Sequence, residues 1–149
     1  MAYRHVPDLQ LTDIGDLALL APDAYRPHHD LAIHDATAEG MAKALADQLA
    51  IRLLTPIGEW LPFPLLGSDL LSLVGEPNTP TTGARAEQMV RSALTFDGRF
   101  GSDEVTVMAM PSQDERLLFL VLVLQIEGLE EQRMLISLDL QTGSLRLEA

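Results

Sequence analysis

The chain has 149 residues, 47% of them hydrophobic, which predicts one folded domain with a single core and excludes intrinsic disorder for most of its length. Ten Lys and Arg against 22 Asp and Glu give a net charge of -12, which repels phosphate backbones and anionic headgroups, so we expect neither nucleic acid nor a membrane surface as a partner. The absence of Cys excludes disulfides, thiolate metal sites and thiol nucleophiles.

Residues 1–34 predict a small N-terminal β-hairpin followed by a loop. Short alternating apolar runs at 9–11 and 17–20 flank a Gly-containing turn at 13–16, and residues 31–33 have the composition of a further short strand. This start is acidic and lacks a basic segment followed by an apolar block. We therefore expect no secretory signal and synthesis in the cytoplasm.

A long helix is predicted over 37–54, at the start of a helical part that spans 35–100. Asp35 and Thr37 are candidate N-terminal caps, because their side chains can accept hydrogen bonds from the free N–H groups of a first turn. Apolar residues then recur every four positions, as they do on the buried face of a helix. These residues are Met41, Leu45, Leu49 and Leu53.

A proline-rich segment follows the long helix. Five of the nine prolines lie in 56–80, which predicts an extended path across a surface because proline cannot donate to a ladder or a helix interior. Within it, Ser68 or Asp69 is positioned to cap a two-turn helix that runs to Val74. Gly75 is positioned to end that helix in the left-handed conformation.

A second main helix is predicted over 82–95. Thr81 or Thr82 is its candidate N-terminal cap, and the pair Asp97-Gly98 is its stop signal. The stripe expected to be buried consists of Ala86, Met89, Val90, Ala93 and Leu94.

From Val105 onward the apolar residues alternate with a period of two, which is typical of strands. The four runs are 105–110, 117–126, 133–140 and 145–148, and short turn sequences separate them. The pattern predicts an antiparallel meander packed against the two main helices, and hence an α+β fold. We expect a single domain over 1–149, in which 101–149 form the sheet.

The run 117–126 is apolar on both faces. Leu118, Leu120 and Leu122 alternate with Leu117, Phe119 and Val121, so two helices on one face leave the other uncovered. Exposing those side chains forgoes about 1.5–3 kcal/mol for each of them. Either the N-terminal hairpin or a partner subunit is expected to cover the second face.

Two segments resemble the baseplate wedge family of contractile phage tails, also known as baseplate assembly protein W or the lysozyme-like wedge family. They are Leu53-Leu54-Thr55-Pro56-Ile57-Gly58-Glu59-Trp60 and Pro64-Leu65-Leu66-Gly67-Ser68-Asp69-Leu70-Leu71-Ser72-Leu73-Val74-Gly75-Glu76-Pro77-Asn78. The resemblance covers about 37–126. The segment Phe96-Asp97-Gly98-Arg99-Phe100 corresponds to the family's Glu-Pro-Arg triplet, keeping the acid and the arginine but not the proline.

The resemblance implies a structural subunit of the tail baseplate in the virion, or of a related injection machine, with several copies around the tail tube. It implies a fold similar to the interlocking domain of the sheath subunit. The implied partners are other wedge subunits and the tail sheath protein, whose arms add strands to the sheet so that the baseplate templates the first sheath ring. Strand addition satisfies unpaired N–H and C=O groups at a sheet edge.

Two groups of residues are candidate partner contacts. Asp97 and Arg99 have the charges for an ion pair that anchors a neighbouring subunit, although a solvated turn with a weak ion pair explains the same residues. The segment Gly58-Glu59-Trp60 contains the sole Trp, and indole rings are common at the centres of interfaces. The alternative is an internal role, with Gly58 in a tight turn, Trp60 packed on the helix and Glu59 bonded to backbone.

A peptidoglycan-degrading hydrolase is the alternative function. It requires a protonated carboxyl in an apolar cleft and a second carboxyl about 5–10 Å away. The pairs Glu59 with Asp69, or Asp97 with Glu104, are available, but 22 carboxylates make such pairs unselective. Because nucleophile elbows and phosphate-binding loops are also absent from the sequence, we expect no enzymatic activity, no catalytic residue and no cofactor.

One histidine-rich stretch has donors that suit a metal ion. His28, His29 and His34 lie beside Asp30 and Asp35, and imidazole with carboxylate suits zinc. The stretch is predicted to be a proline-containing loop, whereas metal ligands usually converge from rigid elements. We therefore predict a polar loop and no metal site.

Overall fold

The computed structural model describes residues 19–20, 30–31 and 38–148, which fall into two units, one ending at Ile51 and the other beginning at Arg52. In the first unit, strand β1 (Leu19–Leu20) pairs with the antiparallel strand β2 (Asp30–Leu31), so the expected strand at 31–33 begins one residue earlier. The hairpin predicted around 13–16 and the caps Asp35 and Thr37 lie outside the described residues.

Helix α1 (Ala38–Leu54) confirms the long helix predicted over 37–54. Its repeating leucines Leu45, Leu49 and Leu53 are each no more than 2% exposed, as the four-residue period requires. The structure contains no helix, within the part of the chain that it describes, that is long and apolar enough to cross a membrane.

The second unit contains the predicted antiparallel meander, which confirms the α+β fold class. The strands are β3 (Val105–Met110), β4 (Leu117–Leu124), β5 (Gln132–Asp139) and β6 (Leu145–Glu148), and they lie in the order β3-β4-β5-β6. Each strand pairs with its neighbour in sequence, with Val107 opposite Leu122 and Leu120 opposite Ile136. The sheet is therefore built entirely from hairpin connections.

Helix α2 (Pro80–Thr95) packs on the face of the sheet that carries the even-numbered leucines of β4. Gly83 of α2 approaches Ala109 of β3 so closely that a Cβ added at Gly83 would lie 2.9 Å from the Ala109 Cβ. Ala109 lies opposite Leu120, and Leu118, Leu120, Leu122 and Leu124 are all buried. This face and the helix form the core of the second unit.

The ends of the short elements differ from the prediction. Thr79, and neither Thr81 nor Thr82, caps α2, because Pro80 fills the first helical position and the Thr79 hydroxyl accepts from the Thr82 N–H. The two-turn helix expected up to Val74 is a single 3₁₀ turn, Leu70–Leu73, that no side chain caps. Its two buried residues are three positions apart, the period of a 3₁₀ helix, and Gly75 follows with the expected positive φ of 91°.

The second face of the sheet carries the remaining apolar side chains of β4, which are half-buried. Its margin along β3 is exposed, with Met108 at 53% and Met110 at 46%. The expectation that the N-terminal hairpin or a partner subunit covers this face stays a prediction, because most of the hairpin lies outside the described residues.

Candidate functional site

Residues 55–69 form a loop that connects α1 to the 3₁₀ turn, and its two ends are held side by side. The Ser68 hydroxyl donates to the Leu53 carbonyl over 2.6 Å, and the Ser68 N–H donates to the Thr55 carbonyl over 2.9 Å. Gly67 has a φ of 128°, and a Cβ there would collide with the Thr55 carbonyl oxygen. Ser68 therefore closes the loop and does not cap the turn that follows, and only glycine fits beside it.

The backbone between these ends bonds largely to itself. The Gly58 N–H donates to the Pro64 carbonyl over 2.9 Å, the Phe63 N–H donates to the Trp60 carbonyl over 3.0 Å, and the Glu59 N–H donates to the Pro56 carbonyl over 3.1 Å. Pro56, Pro62 and Pro64 have no N–H to satisfy. The loop thus has a defined backbone without belonging to a helix or a sheet.

The side chains of this loop are apolar and exposed. The exposed fractions are 53% for Ile57, 48% for Trp60, 85% for Leu61, 59% for Phe63 and 70% for Leu65. Trp60 and Phe63 contact each other, with ring centroids 5.0 Å apart and planes tilted by 49°. We call these five residues the apolar loop; several exposed apolar side chains within so short a segment are typical of an interaction site.

A groove separates the apolar loop from the C-terminal half of α2. Its volume is about 360 Å³. The residues that line it are Ile57, Leu65, Gly67, Asp69, Gln88, Met89, Ser92, Ala93 and Phe96. Most of these side chains are apolar, and among these described lining residues Asp69 is acidic and none is basic.

A half-buried ion pair joins the end of α1 to the segment after α2. Arg52 contacts both carboxylate oxygens of Asp97, with Nη1 3.1 Å from Oδ1 and Nη2 2.6 Å from Oδ2. The guanidinium also donates to the Ala93 carbonyl and lies over the rings of Phe96 and Phe100, 5.6 and 5.4 Å from their centroids. The Arg52 side chain is only 6% exposed. The pair therefore holds the last turn of α1, just before the apolar loop, against the segment that follows α2.

The surroundings of Asp97 keep its carboxyl ionised. Partial burial alone would raise its pKa, but the hydrogen bonds and charge of Arg52 and the backbone N–H of Arg99 together lower the pKa below its ordinary value. A carboxyl with a lowered pKa is a poor general acid, so Asp97 does not fit that role in a pair with Glu104. The Glu104 carboxylate instead accepts from the Gly101 N–H over 2.7 Å.

The sequence did not identify Arg52 as the partner of Asp97. In the described part of the chain, Asp97 and Arg99 do not form the expected side-chain ion pair; instead the Arg99 backbone N–H donates to the Asp97 Oδ1 over 3.2 Å. The Nε of Arg99 is buried and has no hydrogen-bond partner in the described part of the chain. One signal was available in the sequence: Arg52 follows Leu45 and Leu49 by seven and three residues, which puts a charge on the apolar side of α1.

The other predicted contact residues lie within or beside the apolar loop. Gly58 has a φ of 86°, which fits the tight turn expected there, and Glu59 and Trp60 are exposed. Glu59 does not sit in an apolar cleft of the kind that a hydrolase acid needs. That these residues bind a partner stays a prediction. His28, His29 and His34 lie outside the described residues.

The two edges of the sheet differ. At β3, the Glu87 carboxylate accepts from the Ala109 N–H over 2.6 Å, and Arg91 donates to the Val105 carbonyl over 3.0 Å. Two side chains of α2 thus occupy backbone groups that point away from β4. At β6, the Asp139 N–H donates to the Ser144 carbonyl, and the alternation of antiparallel pairs directs the N–H and C=O groups of Leu145 and Leu147 away from β5.

Comparisons with known proteins give a likeness of fold. No protein-family model and no curated protein sequence matches the chain. Among solved structures, the chain is similar to a crystal structure from Geobacter sulfurreducens whose description reads "putative tail lysozyme". The two are 20% identical with a TM-score of 0.57, and the match covers 76% of this chain and 100% of that chain. The α+β architecture described above is therefore one that a solved structure shares.

Proposed function

We propose that the chain is a structural baseplate wedge subunit of a contractile phage tail or a related injection machine, and that it works by recognition without catalysis. The observation that carries the proposal is the apolar loop, which begins directly after Leu53-Leu54-Thr55-Pro56, the segment that resembles the wedge family. The likeness of fold to the tail protein reported above supports it. The proposed location is the baseplate of the virion, with several copies around the tail tube.

Contacts with neighbouring wedge subunits are assigned to the apolar loop and Arg99. The loop offers aromatic and aliphatic side chains already held by a bonded backbone, so binding costs little ordering of the chain. The half-buried Arg99 has an Nε without a partner among the described residues, and a carboxylate of a neighbour would satisfy it. Asp97 supports this site indirectly, because Arg52 engages its carboxylate.

Arg99→Ala tests the contact with wedge subunits. Replacing Asp97 as well would leave the buried Arg52 without its partner. A loss of binding could then not be distinguished from a loss of stability. We expect Arg99→Ala to keep the thermal stability of the parent chain and to reduce co-purification with wedge proteins encoded beside it. Arg85→Ala, which removes an exposed arginine paired with Glu76, is the matched control. Wild-type recovery of wedge partners by Arg99→Ala would contradict this assignment.

Sheath templating is assigned to the edge at β6. Glu87 and Arg91 bond to two outward backbone groups of β3, the Ala109 N–H and the Val105 carbonyl, whereas the outward N–H and C=O groups of Leu145 and Leu147 belong to a strand with one paired neighbour in the described sheet. An extended arm of the sheath protein laid beside β6 would satisfy these groups and lengthen the sheet.

Leu147→Pro tests strand addition at β6. Proline removes an N–H that points away from β5, so the bonds between β5 and β6 remain and the fold is kept. Leu147→Ala is the control, because it shortens the same side chain and keeps the N–H. We expect sheath polymerisation on assembled baseplates to fall strongly for the proline variant and little for the alanine variant. Equal polymerisation with both would contradict strand addition at this edge.

The hydrolase alternative is tested on the same purified chain. Among the described residues, the carboxyls whose pKa departs from the ordinary value are Asp97, Glu131 and Asp139, and each pKa is lowered, opposite to the shift that a general acid needs. We expect no clearing of a peptidoglycan suspension. Clearing that disappears in Glu59→Gln would overturn the non-enzymatic proposal.

A further inference from the structure

We infer that the groove between the apolar loop and α2 binds an amphipathic helix of another protein, one whose apolar face is flanked by basic residues. The inference deepens the proposed function and rests on it for the partner's being another tail component. It starts from the lining of the groove, in which Ile57 and Leu65 of the loop face Met89, Ala93 and Phe96 around a volume of about 360 Å³. A volume of this size is in the range of ligand-binding clefts.

The backbone around the groove favours a helix over an extended peptide. A bound strand needs unpaired N–H and C=O groups beside it, as at β6. Here the loop N–H groups of Gly58, Glu59 and Phe63 already donate within the loop, and α2 bonds within itself. A helix satisfies its own backbone and presents side chains alone, which is what an apolar groove accommodates.

The charges around the groove determine which charged residues are expected beside the apolar face of the partner helix. Asp69 lines the groove, and the exposed Glu59 lies in sequence between Ile57 and Trp60 of the apolar loop. Two of the described arginines on the elements beside the groove are paired with carboxylates, Arg52 with Asp97 and Arg85 with Glu76. A helix with Lys or Arg beside its apolar face is therefore complementary, and a helix with acidic flanks is repelled by a chain whose net charge is -12.

Trp60 provides the measurement, because it is the only Trp of the chain and 48% exposed. The probe is a Trp-free synthetic peptide of about five helical turns, with Leu spaced along one face and Lys on both flanks. We expect a saturable shift of the Trp60 emission to shorter wavelength. Two comparison peptides have the same composition with the Leu positions scrambled, or Glu in place of Lys; we expect each to bind at least about tenfold more weakly.

Leu65→Asp and Leu71→Asp are the paired variants. Both leucines are exposed, at 70% and 45%, but Leu65 lines the groove, whereas Leu71 lies in the 3₁₀ turn and does not line it. Each change adds the same negative charge, which by itself favours a basic peptide. We expect Leu65→Asp to weaken peptide binding at least about tenfold and Leu71→Asp to preserve it within about twofold.

Three results would overturn the inference. The first is equal binding of the scrambled or acidic peptide, and the second is equal peptide binding by the two variants. The third is a shift of the Trp60 emission that depends on protein concentration in the absence of peptide, which would mean that a second copy of the chain occupies the groove. None of these results bears on sheath polymerisation at β6, which is tested separately with the Leu147 variants. Loss of the helix site with retained templating would thus refute this inference alone, and retained helix binding with failed assembly would refute the proposed function.

Discussion

Strand β4 and the apolar loop contain similar side chains in opposite environments. In β4, Leu118, Leu120, Leu122 and Leu124 are at most 2% exposed, whereas Leu61 and Leu65 of the loop are 85% and 70% exposed. The difference does not come from a disordered backbone, since the loop is closed by Ser68 and bonded within itself. Similar residues therefore serve folding in one region, and in the other are available for binding.

The polar groups of the two regions follow the same division. Around the sheet, side chains of α2 form hydrogen bonds with backbone groups of β3. The Asp139 carboxylate accepts hydrogen bonds from Arg116 and from the turn after β5. Near the start of the loop, the Arg52 guanidinium donates to both carboxylate oxygens of Asp97. The groove, in contrast, is lined mostly by apolar side chains, with no basic residue among the described lining residues. The comparison predicts that substitutions in the sheet change stability and that substitutions in the loop change binding.

The largest expected effect is that of Leu122→Ala in β4. Leu122 is 0% exposed and lies between Val107 and Met134 in the sheet. Truncating it leaves a cavity, and we expect the free energy of unfolding to fall by about 2–5 kcal/mol. Chemical denaturation measures this loss. A loss below about 1 kcal/mol would mean that the even-numbered face of β4 is not the core of the unit.

Arg52→Met is expected to have the next largest effect. The substitution keeps a long apolar side chain near Phe96 and Phe100 but leaves Asp97 without its partner. Because the Asp97 side chain is about one-third exposed, we expect a loss of about 2 kcal/mol, less than for a fully buried pair.

Arg52→Lys separates charge from geometry in the same experiment. Lysine keeps the positive charge but cannot contact both carboxylate oxygens in the planar arrangement of the guanidinium. We expect an intermediate loss on denaturation. Identical stability of the parent chain and Arg52→Met would show that the ion pair does not hold the base of the loop.

The two main helices and the four strands were predicted correctly from periodicity, because the spacing of apolar residues within one element reflects which face of that element is buried. The four-residue repeat of α1 and the alternation in β4 each follow from one face of one element, so α1, α2 and all four strands of the meander were predictable. The caps were missed where two local signals competed: Thr79-Pro80 is a stronger helix start than Thr81 or Thr82, since proline suits the first helical position.

The site was less predictable because it depends on residues distant in sequence. Arg52 and Asp97 are 45 positions apart, and no local pattern joins them. The resemblance of Asp97-Gly98-Arg99 to a family triplet suggested a local pair in place of this distant one. The proline-rich composition predicted an extended path over 56–80, whereas 55–69 is a loop closed by its own hydrogen bonds. It also did not predict the exposure of the apolar side chains, which depends on how the whole unit packs.

Asp139 allows a test of the polar groups at the end of the sheet through pH. Burial alone would raise its pKa, but the N–H groups of Gln141 and Thr142 and the guanidinium of Arg116 lower the pKa from 3.8 to about 2. Since the folded-state pKa is below the unfolded one, the stabilisation is complete above about pH 4 and is lost as the pH falls from about 4 to 2.

Asp139→Asn should remove that dependence. The variant is expected to be less stable than the parent chain at neutral pH, and the difference should shrink as the pH falls through this window. Thermal unfolding at a series of pH values measures both curves. A difference in melting temperature that stays constant down to pH 2 would show that the Asp139 carboxylate does not contribute through its charge.

The smallest expected effect on stability is that of Phe63→Ser in the apolar loop. Phe63 is 59% exposed and contacts Trp60, and its backbone N–H, which serine retains, bonds to the Trp60 carbonyl. We expect the free energy of unfolding to change by no more than about 0.5 kcal/mol, since the side chain is largely in water in the folded chain. Association with wedge partners should nevertheless fall, because aromatic side chains contribute strongly to interfaces. Denaturation and co-purification, measured on the same preparation, check both expectations. A stability loss near that of Leu122→Ala, with unchanged association, would assign the loop to the core and remove the contrast between the two regions.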